Sequence, residues 1–179
     1  MESADMKKPL FKFFLLTYLI FWGMLALAVL VIGMGSPAWV QYVLTVICAW
    51  SPTIVFLSMF TRLYPGTTLK AYLKRQFSSG LSLPVLALVV VVQIIILIAA
   101  TGAHSVLNRV EFFSAFTLSA PMLLLGFMDS LIRGPLGEAI GWRGYALNEL
   151  QKKYSPLFSA VILGFLWGFW HAPLWFLTS

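Results

Sequence analysis

Five stretches of the chain run for about 20 predominantly apolar residues with almost no charge: residues 13–34, 39–60, 81–103, 112–131 and 156–178. That length is what a spanning helix needs, because the hydrocarbon core of a bilayer is about 30 Å thick and an α-helix rises 1.5 Å per residue. The first stretch carries no charge, the second is broken only by Pro52, the fourth holds Asp129 and the fifth His171. The pattern predicts an all-α, polytopic transmembrane helical bundle of about five spanning segments, with residues 134–150 as a further amphipathic or re-entrant helix. Residues 61–80 read as an interfacial or loop connector, turned by Pro65-Gly66. Two parts are expected: residues 1–110 with the first three spans, and residues 111–179 with the last two and the helix between them.

Polar positions between the spans set the orientation. Lys7, Lys8 and Lys12 precede the first span, Arg62, Lys70, Lys74 and Arg75 follow the second, and Arg133, Arg143, Lys152 and Lys153 follow the fourth. Every basic residue except Arg109, which stands beside His104, Asn108 and Glu111 in a loop of the opposite side, thus falls on one side. The positive-inside rule then puts the N-terminus in the cytoplasm and the C-terminus outside; a bacterial cell membrane is the expected location. A cleaved signal peptide is not expected, since the first apolar run continues through Met34 to full spanning length. Composition agrees: 60% hydrophobic, 10% charged and a mean hydropathy of +0.91, against soluble averages of about 45–50% and 25%. Such a chain is neither disordered nor, with Cys48 alone, a disulfide scaffold. Its net charge of +6 reads as the cytoplasmic bias and not as a nucleic-acid surface; the lipid bilayer is the expected partner.

Ionisable side chains inside spans cost at least about 2.5–3.5 kcal/mol on insertion scales, so each needs a partner or a task. Asp129 and Arg133 are four apart and form a local ion pair on one helix face. Glu138 lies in Gly134-Pro135-Leu136-Gly137-Glu138-Ala139-Ile140-Gly141-Trp142-Arg143-Gly144-Tyr145, where small residues permit close helix approach. At helical spacing Glu138, Trp142 and Tyr145 share a face, while Arg143 points about 140° away from Glu138 and aligns with Ala139. Glu138 is either an interfacial carboxylate held in water beside Lys152 and Lys153 or a working group. His171 sits between Trp167 and Trp175, and Pro173 behind it frees a backbone carbonyl at membrane depth, as happens where backbone lines a wet cavity. A carboxylate and an imidazole sharing one water can hydrolyse a peptide. For Glu138 to meet His171, some 15 residues into the last span, residues 134–150 must continue span four or re-enter beside span five.

These two blocks resemble the CAAX-protease and bacteriocin-processing family of intramembrane endopeptidases, which includes type II prenyl-protein proteases. The family's Glu-Glu-x-x-x-Arg motif, often continuing Gly-Trp-Arg-Gly-Tyr, is met as Glu138 to Tyr145, and its Phe-x-x-x-His motif as Trp167-Gly168-Phe169-Trp170-His171. The resemblance implies that Glu138 and His171 activate water, that Arg143, Trp142 and Trp167 support them, and that the substrate is a membrane-associated peptide or protein. Two departures stand out: the motif's second glutamate is Ala139, which removes the i, i+4 partner of Arg143, and the family's third motif, a His with an Asn a turn later, does not follow His171. The chain therefore reads as a fragment or degenerate copy of an active family. An inactive membrane immunity or scaffold protein, and a proton or ion relay of a transporter, remain the alternatives. Whether a divalent metal takes part is left open, since Glu138 and His171 alone are too few ligands for a closed zinc site.

Overall fold

A computed structural model describes residues 7–76, 78, 82–115 and 120–177. Helices account for nearly all of them, and there is no strand among the described residues. In chain order they are α1 (Lys7–Gly33), α2 (Ala38–Leu63), α3 (Leu69–Gln76), α4 (Leu83–Asn108), α5 (Ala120–Arg133), α6 (Pro135–Ala139) running into a π-helical stretch (Ile140–Leu147), α7 (Asn148–Gln151) and α8 (Pro156–Trp170). Short 3-10 turns cover Phe112–Ala115 and Ala172–Phe176.

The protein is an all-α membrane bundle, as the apolar pattern predicts. The first three predicted spans become helices of 27, 26 and 26 residues, each long enough to cross a bilayer. The other two are shorter. α5 has 14 residues, with 116–119 of the predicted span outside the described residues. α8 has 15, about 22 Å at 1.5 Å per residue, and gives way to a 3-10 turn. The cause is Pro173, which cannot extend the hydrogen-bond ladder: Leu174 N–H donates to the His171 carbonyl three residues back instead.

The chain forms two compact units. The first comprises the residues up to Thr67 and those from Met128 onward. In it α1 packs along α2, and α2 also packs against α6 and the π stretch, which in turn meets α8. Gly35, at φ +75°, turns the chain between α1 and α2. Pro65-Gly66 closes the predicted turn after α2, with Gly66 at φ +79° and Thr67 N–H donating to the Tyr64 carbonyl, the pattern of a type II turn. α8 starts where Ser155 accepts the Phe158 amide on its Oγ and Pro156 takes the first helical position.

The second unit spans Thr68–Phe127. Its α3 lies inside the predicted connector, capped by Thr68 Oγ1, which accepts the Ala71 amide. α4 reaches five residues beyond the predicted span and takes His104 and Asn108, expected in a loop, into its last turns. There Asn108 Nδ2 lies 3.0 Å from the His104 carbonyl it donates to. α4 contains no buried residue.

Candidate active site

The glycine-rich block is built for contact with α2. At Gly141 a Cβ would meet the Pro52 carbonyl carbon and oxygen at 2.5 Å, and at Gly137 it would meet Trp50 Cδ1 at 2.8 Å and the Ala49 oxygen at 3.0 Å. Only hydrogen fits, so backbone lies on backbone, the use of small residues that membrane helices favour. Trp50 fastens the same crossing from the other side, its Nε1 donating to the Ile132 carbonyl at 2.9 Å. The glycines therefore serve packing inside the bundle. Just beyond Ile132 the chain breaks between α5 and α6 at Gly134 and restarts at Pro135, which lays the motif segment beside α2 and α8.

That placement carries Glu138 to the last turn of α8. The residue is 9% exposed, and its Oε2 accepts a hydrogen bond from Trp167 Nε1 at 2.6 Å. The alternative of an interfacial Glu138 held in water beside Lys152 and Lys153 is thereby set aside; Lys152 instead pairs with Glu149 at 2.6 Å. Trp167 reaches His171 as well. The two rings meet edge to face with centroids 4.5 Å apart, and His171 Nδ1 lies 3.0 Å from the Trp167 carbonyl oxygen. A carbonyl has no proton to give, so this bond requires the proton on Nδ1 and leaves Nε2 with a free lone pair. His171 closes α8 at φ −80°, ψ −7°, in the bridge region where active-site residues often sit. No hydrogen bond joins Glu138 to His171 directly; one tryptophan positions both.

The predicted supporting residues divide by role. Trp142 is 2% exposed and packs between Phe13, Phe14 and Trp170, with centroids 5.9, 5.9 and 5.7 Å away. With Glu138 and Tyr145 it forms the expected buried face. Arg143 is exposed and makes no hydrogen bond or ion pair with any described residue, although its charge acts on Glu138. The π-helical winding changes the spacing argument here, because residues five apart take over from residues four apart. Arg143 and Trp142 together line a cavity of about 240 Å³ whose other walls are Leu147, Ala160, Leu163, Gly164 and Trp167. The Asp129–Arg133 ion pair forms as expected, with Arg133 Nε 2.9 Å from Asp129 Oδ1.

Sequence reasoning missed how α1 holds the site. Trp170, fully buried, meets His171 edge to face with centroids 4.5 Å apart and packs at a tilt on Phe21 at 4.1 Å. Trp22 Nε1 donates to the Trp170 carbonyl at 3.0 Å, and Tyr18 Oη to the Leu166 carbonyl at 2.5 Å. The signal was present: Phe14, Tyr18 and Trp22, and Phe13 and Phe21, recur at multiples of four along α1 and so share faces. Among the described residues no three His, Cys, Asp or Glu side chains come together as a metal site.

Residues 120–179 match the family model of the type II CAAX prenyl endopeptidases, Rce1-like. The CAAX prenyl protease 2 of Methanococcus maripaludis is 27% identical over 135 residues, which cover 72% of this chain and 49% of that protein. The chain thus spans about half the length of the curated relative it matches. No solved structure matches it.

Proposed function

We propose that this membrane protein, whose residues 120–179 match the Rce1-like CAAX prenyl endopeptidase model, is an intramembrane endopeptidase whose nucleophile is a water activated by Glu138 and His171. The observation that carries this reading is the shared tryptophan. Trp167 fixes the Glu138 carboxylate through its indole N–H and fixes the tautomer of His171 through its carbonyl. Nε2 is then an acceptor, able to hold one water proton while a Glu138 oxygen takes the other. As the water oxygen attacks the peptide carbonyl, its proton passes to Glu138; on collapse of the tetrahedral adduct Glu138 returns it to the leaving amine. Burial supports the scheme, since fixed donors and acceptors act more strongly where bulk water is excluded.

The substrate class is a peptide or protein segment lying in or at the bilayer, with the N-terminus of the enzyme in the cytoplasm. The CAAX prenyl protease 2 relative suggests substrates with a prenylated C-terminus; bacteriocin leaders and segments of other membrane proteins belong to the same chemical class. The reading is tested by reconstituting the full-length protein in liposomes with membrane-inserted reporter peptides and comparing it with Glu138→Gln. Cleavage by the parent and not by the variant is expected. Equal rates, or no cleavage of any peptide by either, would overturn it and favour an inactive membrane scaffold, for which Ala139 in the first motif speaks.

A further inference from the structure

A second cavity, of about 250 Å³, opens where α1 begins and α7 ends, and neither Glu138, His171 nor Trp167 lines it. Leu10, Phe11 and Phe14 form its α1 wall, three- and four-residue spacings that share one helix face. Leu150, which is buried, faces them together with Glu149, Lys153 and Tyr154. Charge collects at the rim. Lys153 lines the cavity, Lys152 precedes it in the chain and Lys8 stands one helical turn before Phe11, all three of them exposed. Glu149 is the one acidic side chain in the lining, and Lys152 already holds its carboxylate at 2.6 Å. The result is an apolar floor under a net positive rim. Both walls also stand at the end of an apolar helix: Leu10–Phe14 fall in the opening turns of membrane-length α1, and α8 begins at Pro156, two residues after Tyr154. An exposed tyrosine at that point matches the aromatic residues that favour the headgroup level of a bilayer.

We propose that this cavity binds one anionic phospholipid, its headgroup phosphate on Lys152 and Lys153 and the first part of an acyl chain between Leu10, Phe11, Phe14 and Leu150. The volume is below the roughly 300–1,000 Å³ of sites that enclose drug-sized ligands, which suits part of a chain whose remainder lies in the bilayer. Charge complementarity selects the headgroup. Basic pockets between membrane helices attract anionic lipids, whereas a zwitterionic lipid brings an ammonium of its own that the lysine rim repels. A lipid seated here touches the first helix and the end of the motif segment at once and so ties them together. Phe14 also stacks on Trp142, with centroids 5.9 Å apart and planes inclined by 29°, so the acyl chain lies one ring away from the motif block. The binding stands whether or not the protein is a protease.

The test is the thermal midpoint of the full-length protein in neutral detergent, titrated with phosphatidylglycerol, with phosphatidylcholine or with inorganic phosphate. Phosphatidylglycerol should raise the midpoint by several degrees and saturate, because a ligand that binds only the folded state stabilises it. Phosphatidylcholine and phosphate at the same concentrations should leave it level. Lys152→Gln combined with Lys153→Gln should move the titration to about 25-fold higher lipid, about 5-fold for each lysine. Phe11→Ala, which trims an exposed wall, should weaken the response with both lysines in place. Lys70→Gln combined with Lys74→Gln removes the same charge from α3 and should leave the titration where it is. Native mass spectrometry gives a second readout that does not depend on the variants' stability: the parent should retain one phosphatidylglycerol and the Lys152, Lys153 double variant none. An equal rise with phosphatidylcholine, a titration that the Lys152, Lys153 pair leaves in place, or one that the α3 pair moves as far, overturns the proposal. So does a rise with phosphate alone that matches the lipid, which would assign the rim to a free anion.

Discussion

At the scale of single residues, Trp167 matters as much as the two motif residues it serves. Among the described residues its indole N–H gives the Glu138 carboxylate its one hydrogen bond, and its backbone carbonyl sets the His171 tautomer. Trp167→Phe keeps the ring and the backbone and removes only the N–H. A hydrogen bond to a buried charged group contributes roughly 1.5–3 kcal/mol, so kcat should fall about 10- to 100-fold with the protein still folded, measured in the reconstituted assay; an unchanged kcat would mean that the bond does not position the carboxylate. Glu138 and His171 were legible in the sequence as ionisable groups in apolar surroundings, and Asp129 with Arg133 as a pair four residues apart. Trp167 was legible only as a neighbour of His171. A donor that crosses from one helix to another leaves no spacing in the sequence, because its target is 29 residues away.

At the scale of elements, the site depends on how closely the motif segment lies on α2. Gly141→Ala puts a methyl group 2.5 Å from the Pro52 backbone, and backbone cannot yield as a flexible side chain can. Overpacking of this kind typically costs about 1–3 kcal/mol, so the thermal midpoint in detergent should drop by several degrees. Gly23→Ala, where nothing lies within 4 Å of the new Cβ, should leave it level or slightly raised. Equal midpoints for the two variants would refute the close crossing. The repeated glycines could be read directly as close packing, and Pro173 as a local break. The π-helical stretch could not, because nothing in Ile140–Leu147 distinguishes it from an α-helix until α2 and α8 press on both sides. The face calculated at α-helical spacing separates Arg143 from Glu138, and the structure keeps Glu138 buried and Arg143 exposed, on a cavity whose wall Trp167 also bonds the carboxylate. π-bulges are frequent at functional sites, and this one supports the assignment.

At the scale of the whole molecule, hydropathy gave the class of fold and the three longest helices, since spanning length and apolar content are properties of the chain alone. It overestimated α8, whose apolar run continues past the point where Pro173 ends the helix. The orientation remains a proposal from the basic residues. A single cysteine placed at Lys74 should escape a membrane-impermeant maleimide applied to intact cells and react after permeabilisation, while one at Arg109 should react at once. Cys48 is buried and gives little background. The reverse labelling would contradict the orientation.

The most direct test of the central claim is a double-mutant cycle on the reconstituted protein, comparing kcat/KM for Glu138→Gln, His171→Ala and the two combined. If both side chains act on one water, each single variant loses about 10³-fold or more, and the double variant is scarcely slower than either, as groups that act as a unit are not additive. Losses that multiply in the double variant, or a single variant that retains the parent rate, would contradict a shared water between Glu138 and His171.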